Sequence, residues 1–223
     1  MERIPTKKIA YCFDNERPLT MFYNEKQIRM MSTSESAELR ALIAKTLVYE
    51  ENIDAAIAVL SNLVVDQDEL VRIEAVDSLS AFSNIQSYSA MHTALTDSSE
   101  LVRAYAAIGV AIVGKDVSPA HALKSLLHRK KIEHSKYVLT SVYESLYMLG
   151  EKEYLSQLLE LFQENNYYTK RAVLVALGEI LDSNNYKAIQ AFVARIDTKE
   201  YPVLVTEELQ KLEDGLRGHS TGD

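Results

Sequence analysis

Asp66-Gln67-Asp68-Glu69-Leu70-Val71-Arg72 returns 31 residues later as Asp97-Ser98-Ser99-Glu100-Leu101-Val102-Arg103. Each copy has an Asp in a turn, Val-Arg at its end, and small apolar residues after it. Three and four positions past the arginine stand Ala75/Val76 in one copy and Ala106/Ala107 in the other. Seven past it stand Leu79 and Val110. Leu39-Arg40 opens a third copy, with Ile43/Ala44 and Leu47 at the same offsets. Offsets of three, four and seven fall on one face of a 3.6-residue helix. The same spacing runs outward in both directions. It passes through Ile53, Ala56, Ile57, Leu60 and Val64 on one side, and Leu123, Leu126 and Leu127 on the other. Later stripes are Leu155, Leu158 and Phe162, then Ile189, Phe192, Val193 and Ile196. Asn52, Asp66, Asn84, Asp97 and the Ser118-Pro119 pair sit in the breaks, where helix caps belong. Strand-like alternation is hard to find. The expected fold is all-α, built from helical hairpins.

Two further segments, Met148-Leu149-Gly150 and Ala176-Leu177-Gly178, align with one another and place Val142 and Lys170 at the arginine position. The intervals from Arg40 through Arg72, Arg103 and Val142 to Lys170 are then 32, 31, 39 and 28 residues. A period in the thirties that tolerates insertions suits stacked helix pairs, each touching only its neighbours. On these residues the chain resembles HEAT repeats, best the bacterial type related to phycobilin-lyase repeats. The resemblance covers roughly residues 20–215. It implies a right-handed α-solenoid of about six hairpins, with each turn Asp and helix Arg forming a ladder between neighbouring units. Arg40, Arg72, Arg103, Asp66 and Asp97 are therefore expected to be structural. Ser34 stands where the first Asp belongs, and Val142 and Lys170 depart from the arginine. Residues 1–19, with Pro5 and Pro18, read as an irregular N-terminal cap, Leu19–Met31 as the first helix, and 216–223 as a flexible tail.

Composition narrows the function. The chain has 223 residues, net charge −8, seven Gly and four Pro, too few for a loop-rich β-sandwich or a disordered chain. An acidic surface repels phosphate backbones, so nucleic acid is not the expected partner. The single cysteine, Cys12, excludes an intramolecular disulfide framework and suits a reducing compartment. No apolar run reaches membrane-spanning length, and none opens the chain as a signal would. A cytoplasmic protein with no membrane partner is expected.

Motifs for chemistry are missing. None of His92, His121, His128, His134 and His219 is followed by Glu, so the His-Glu pairs of di-iron HEAT hydroxylases are absent. His121 and His128 lie seven apart, with no His or Cys nearby to complete a zinc set. Gly-x-Ser-x-Gly, a glycine-rich phosphate loop and a P-loop lysine are likewise lacking. No catalytic residue, metal or cofactor is expected. The basic run Lys124, His128, Arg129, Lys130, Lys131, Lys136 is accounted for by the dipole of a helix C-terminus.

Tyrosine carries more information. Eight of 13 fall between Tyr137 and Tyr201, and Tyr154 is on an apolar stripe. Positions one, two and five past the arginine face away from the core stripe. They hold Ile73, Glu74 and Asp77, then Tyr105 and Ile108, then Tyr143, Glu144 and Tyr147, then Arg171 and Val175. In HEAT repeats the second helices line the concave side, which implies an apolar-aromatic groove at Tyr105, Ile108, Tyr143 and Tyr147. Glu74, Asp77 and Glu144 would form its acidic flank. Aromatic side chains give large contact area at low entropic cost. The expected function is a non-enzymatic scaffold or adaptor holding a protein or peptide in that groove, with an immunity or antitoxin-like inhibitor as a specialised form. The alternative implied by the resemblance is a phycobilin-lyase-like enzyme or tetrapyrrole-handling protein. DNA base excision, known among HEAT-like glycosylases, fits poorly with an acidic groove and no Trp.

Overall fold

The computed structural model describes residues 6–220. The chain divides into two compact units, Met1–Ser125 and Leu126–Asp223, where the sequence led us to expect one run over 20–215. Every regular element among the described residues is a helix.

The first unit contains α1 (Thr6–Asp14), α2 (Glu25–Ser32), α3 (Ala37–Thr46), α4 (Ile53–Leu63), α5 (Glu69–Leu79), α6 (Ile85–Ala94) and α7 (Glu100–Val117). Helices α2/α3, α4/α5 and α6/α7 are hairpins. They stack in two layers, α2, α4 and α6 in one and α3, α5 and α7 in the other. The repeated apolar offsets become the core, with Ile43, Val71, Val76, Leu79, Val102 and Val110 fully buried. Helix α8 (Pro119–Ile132) runs across the division. Close approach is built in where α7 packs on its neighbours. A Cβ at Gly114 would lie 2.5 Å from the Ala122 Cβ, and one at Gly109 would strike the Met91 sulfur.

The start of the chain corrects the expectation of an irregular cap. Helix α1 carries Ile9 and Cys12 into the core; residues 1–5 lie outside the described residues. The helix expected over Leu19–Met31 is broken. A 3-10 turn covers Leu19–Met21, its Leu19 and Thr20 amides donating to buried Glu50. Asn24 and Gln27 then form a reciprocal capping box that restarts the helix as α2.

The second unit contains α9 (Lys136–Met148), α10 (Tyr154–Leu161), α11 (Tyr167–Glu179), α12 (Tyr186–Val193) and α13 (Val203–Ser220). Helices α9, α11 and α13 form one layer; α10 packs on α9 and α11, and α12 on α13. Tyr154 is buried, as its place on an apolar stripe requires. The flexible tail expected over 216–223 is also corrected. Helix α13 extends to Ser220 because Leu209, Leu212 and Leu216 continue its buried stripe; residues 221–223 lie outside the described residues.

The Asp–Arg ladder is present, in a staggered register. Arg40 donates from Nε and Nη2 to both oxygens of Asp66, each at 2.7 Å, and from Nη1 to the Ser34 carbonyl at 2.6 Å. Arg72 repeats the pattern, reaching Asp97 at 2.8 and 3.0 Å and the Asp66 carbonyl at 2.8 Å. Each arginine thus ties its own turn to the next repeat's turn by a planar fork. Ser34 fills its place with its carbonyl, which Arg40 reaches, and with its hydroxyl oxygen, which accepts from the Ser36 amide at 3.3 Å, so the missing carboxylate at the first repeat leaves the arginine engaged. Asp66 and Asp97 do not cap helices as expected. They accept from the Asp68 and Ser99 amides, and Asp68 and Ser99 are the caps of α5 and α7. Lys170, where the arginine is lost, donates to the Phe162 carbonyl and lies over the Phe162 ring, 4.6 Å from its centroid.

Candidate functional site

Helix starts set the register of the repeats. Arg40, Arg72, Arg103 and Lys170 are each the fourth residue of their helix. The fourth residue of α9 is Leu139, three before the Val142 that the Leu-Gly alignment selects. The long interval before α9 hid this shift. In the corrected register Tyr143 joins the core stripe, Glu144 stays on the outward face, and Tyr147 moves off it.

The groove residues therefore separate. Tyr147 is 4 % exposed; its hydroxyl accepts from Asn185 Nδ2 at 3.0 Å, in the core of the second unit. Tyr143 is half-buried and stacks on Tyr154, with ring centroids 5.6 Å apart, while Lys130 covers the other ring at 4.7 Å. Tyr143 and Tyr147 are corrected from groove lining to packing. Glu144 keeps its outward position but is only 8 % exposed.

In the first unit, α5 and α7 place the expected residues side by side in one layer. Tyr105 is 41 % exposed and Ile108 is half-buried. Leu101 and Ile112, one turn before and two turns after Tyr105, are exposed on the same face of α7 and make the row apolar from end to end. The sequence carries these two at offsets of minus two and nine, beyond the offsets read. On α5, Glu74 is half-buried and Asp77 exposed. Burial raises the Glu74 carboxyl above its ordinary value against the opposing pull of Lys45, 4.0 Å away, and nearby Asp77 adds to the rise. Asp77 is raised by burial as well. On this face an apolar ridge runs beside two carboxylates that share the pull of one cation, Lys45.

The histidines do another job. The Tyr88 hydroxyl and His121 Nδ1 share a hydrogen bond of 2.9 Å, and His92 stacks on His121 at 5.1 Å. Burial, with His121 adding to it, lowers the pKa of His92. Among the described residues no group of three or more His, Cys, Asp or Glu could hold a metal ion, and no helix is long and apolar enough to cross a membrane.

The class that this arrangement defines is an all-α protein of stacked helical hairpins. Residues 25–111, which span α2 to the middle of α7, match the family model described as HEAT repeats. Among solved structures, the chain is similar to an engineered protein at 16% identity and TM-score 0.49, covering 88% of this chain and 100% of the other. It is also similar to the complex of CpcE and CpcF of phycocyanin lyase from Nostoc sp. PCC7120 (16% identity, TM-score 0.48, 87% and 95% covered). A designed armadillo repeat protein is matched at 17% identity and TM-score 0.46, with 86% and 100% covered. No curated protein matches the sequence.

Proposed function

We propose that the chain is a non-enzymatic scaffold that holds a protein or peptide on the outward face of its second helices. The observation that carries this reading is the row of exposed Leu101, Tyr105 and Ile112 with half-buried Ile108 on α7, beside Glu74 and Asp77 on α5. Apolar area of this kind costs solubility unless something covers it, and Tyr is a frequent anchor of interfaces. The neighbouring carboxylates favour a partner with basic residues around its apolar anchors. An immunity or antitoxin-like inhibitor capturing a basic protein is the specialised form of this reading, consistent with net charge −8. The lone buried thiol of Cys12 supports a cytoplasmic setting.

The test compares immobilised wild type with a Tyr105→Glu/Ile112→Glu double variant in native lysate, after both are shown to melt alike. Retained proteins are identified by mass spectrometry and their binding is remeasured with purified components. Affinity falling at least about tenfold in the variant, and weakening with salt, supports the reading. Equal retention by both proteins removes the α7 row as the binding face.

A further inference from the structure

Three rings from two helices meet where α8 starts. Tyr88 and His92, one turn apart on α6, face His121 in the first turn of α8. The two imidazoles are stacked, 27° from parallel with centroids 5.1 Å apart, and the Tyr88 ring meets His121 edge-on at 5.7 Å. Tyr88 is buried and its hydroxyl, 2.9 Å from His121 Nδ1, holds that ring in place. The corner behind the rings has no slack. Ala122, the next residue of α8, is fully buried, its methyl 2.5 Å from where a Cβ at Gly114 would stand. Ser125 Oγ donates to the His121 carbonyl at 2.8 Å and closes the turn. Parting the imidazoles therefore strains the docking of this turn.

We propose that the stacked imidazoles of His92 and His121 are an acid-sensitive latch, holding the first turn of α8 on α6 while neutral and releasing it once protonated. Two positive rings at this separation repel, and a charge on half-buried His92 also loses hydration. Burial first, and His121 second, lower the pKa of His92 from its ordinary 6.5 in the docked chain. Both costs fall when the turn lifts away and water reaches the ring. The released form binds the proton more readily, so low pH favours it. Docking is complete above the ordinary value of 6.5 and weakens as pH falls below it toward the docked value.

Other ionisable groups around the rings are engaged or exposed. Helices α4, α5 and α7 pack on α6. Glu69 accepts from Ser99, Arg72 is forked on Asp97, and Arg103 donates to the Asp97 carbonyl at 2.9 Å. Glu74 and Asp77 feel Lys45, and Asp116 accepts from Ser83 Oγ at 3.1 Å. Asp54, Glu100 and Lys115 are exposed, as is Lys124, one turn on from His121. Burial raises the pKa of the Tyr88 hydroxyl, which stays protonated across the imidazole range. His121 is left as the titratable neighbour that acts on His92.

The test follows both imidazoles of the full chain by NMR while amide exchange over residues 122–126, corrected for its intrinsic pH dependence, reports release. The rings should titrate as a coupled pair. Exchange should accelerate several-fold between pH 7.5 and pH 5.5, with about tenfold as the ceiling for one proton. His121→Gln should raise the His92 midpoint and flatten the pH dependence of exchange; His92→Gln should flatten it as well. Exchange that stays flat in wild type while both rings titrate means that the His121 side chain swings aside alone, and overturns the latch. Acceleration that persists in both variants assigns the acid response to other groups and overturns it too. So does an equal acceleration in α4, which marks a general loss of stability.

Discussion

Arg40 and Glu144 are both buried ionisable side chains, and their surroundings drive them in opposite directions. The Arg40 fork holds the Asp66 carboxyl below its ordinary value of 3.8, against the pull of burial. A carboxylate lowered in the folded state contributes stability that is complete above its unfolded pKa and is lost as pH falls through the folded one. Arg40→Ala leaves Asp66 buried without its fork and should cost about 3–5 kcal/mol at neutral pH. Denaturant melts across the acid range should show this gap narrowing once pH drops below the carboxylate region. Glu144 behaves in reverse, because burial and the Glu179 charge push its carboxyl from the ordinary value of 4.5 up to about 8. The folded state holds the extra proton, so stability declines as pH rises between those two values. Glu144→Gln should therefore raise the free energy of unfolding at pH 8.5, read from denaturant melts, by on the order of a few kcal/mol, with the gain vanishing near pH 4.5.

Helix junctions show how little room the hairpins leave. Gly114 admits the Ala122 methyl and the Tyr88 ring against α7, the ring lying 3.0 Å from where a Cβ would stand. Neither neighbour is the loose end of a long side chain, so Gly114→Ala should destabilise by about 1–3 kcal/mol through overpacking. Gly109→Ala meets the Met91 thioether instead. Methionine repacks more readily, so chemical denaturation of the two variants should rank Gly114→Ala as the more damaging. Gly150 has a different role. Its φ of +105° lets the chain leave α9 in a conformation that side chains resist. This explains the Leu-Gly signature there, whereas Gly178 lies within α11. Two glycines that look equivalent in sequence thus sit at different helical positions, and aligning them displaced the register of α9.

The division into two units and the nearest-neighbour ladder make stability local. Arg72→Ala removes the tie between the turns before α5 and α7. Hydrogen exchange should then accelerate across α5, α6 and α7 while amides of α11 and α13 keep their protection. Uniform acceleration along the chain would instead mean that the repeats unfold as one cooperative block.

Repeat spacing by itself determined the helical class and the hairpins, and the resemblance to HEAT repeats implied the Asp–Arg ladder. Apolar periodicity and a recurring fork partner are short-range properties, written within about one repeat length. The face of α7 was legible for the same reason, since Tyr105 and Ile108 keep a constant offset from Arg103. Only the tertiary structure decided where α9 begins, which buried Tyr147 against Asn185 and buried Glu144 as well. It also decided that the first residues form α1 around Cys12 and that Leu216 anchors the last helix. Those outcomes depend on contacts between segments far apart in the chain, and on burial that no periodic pattern in one segment records.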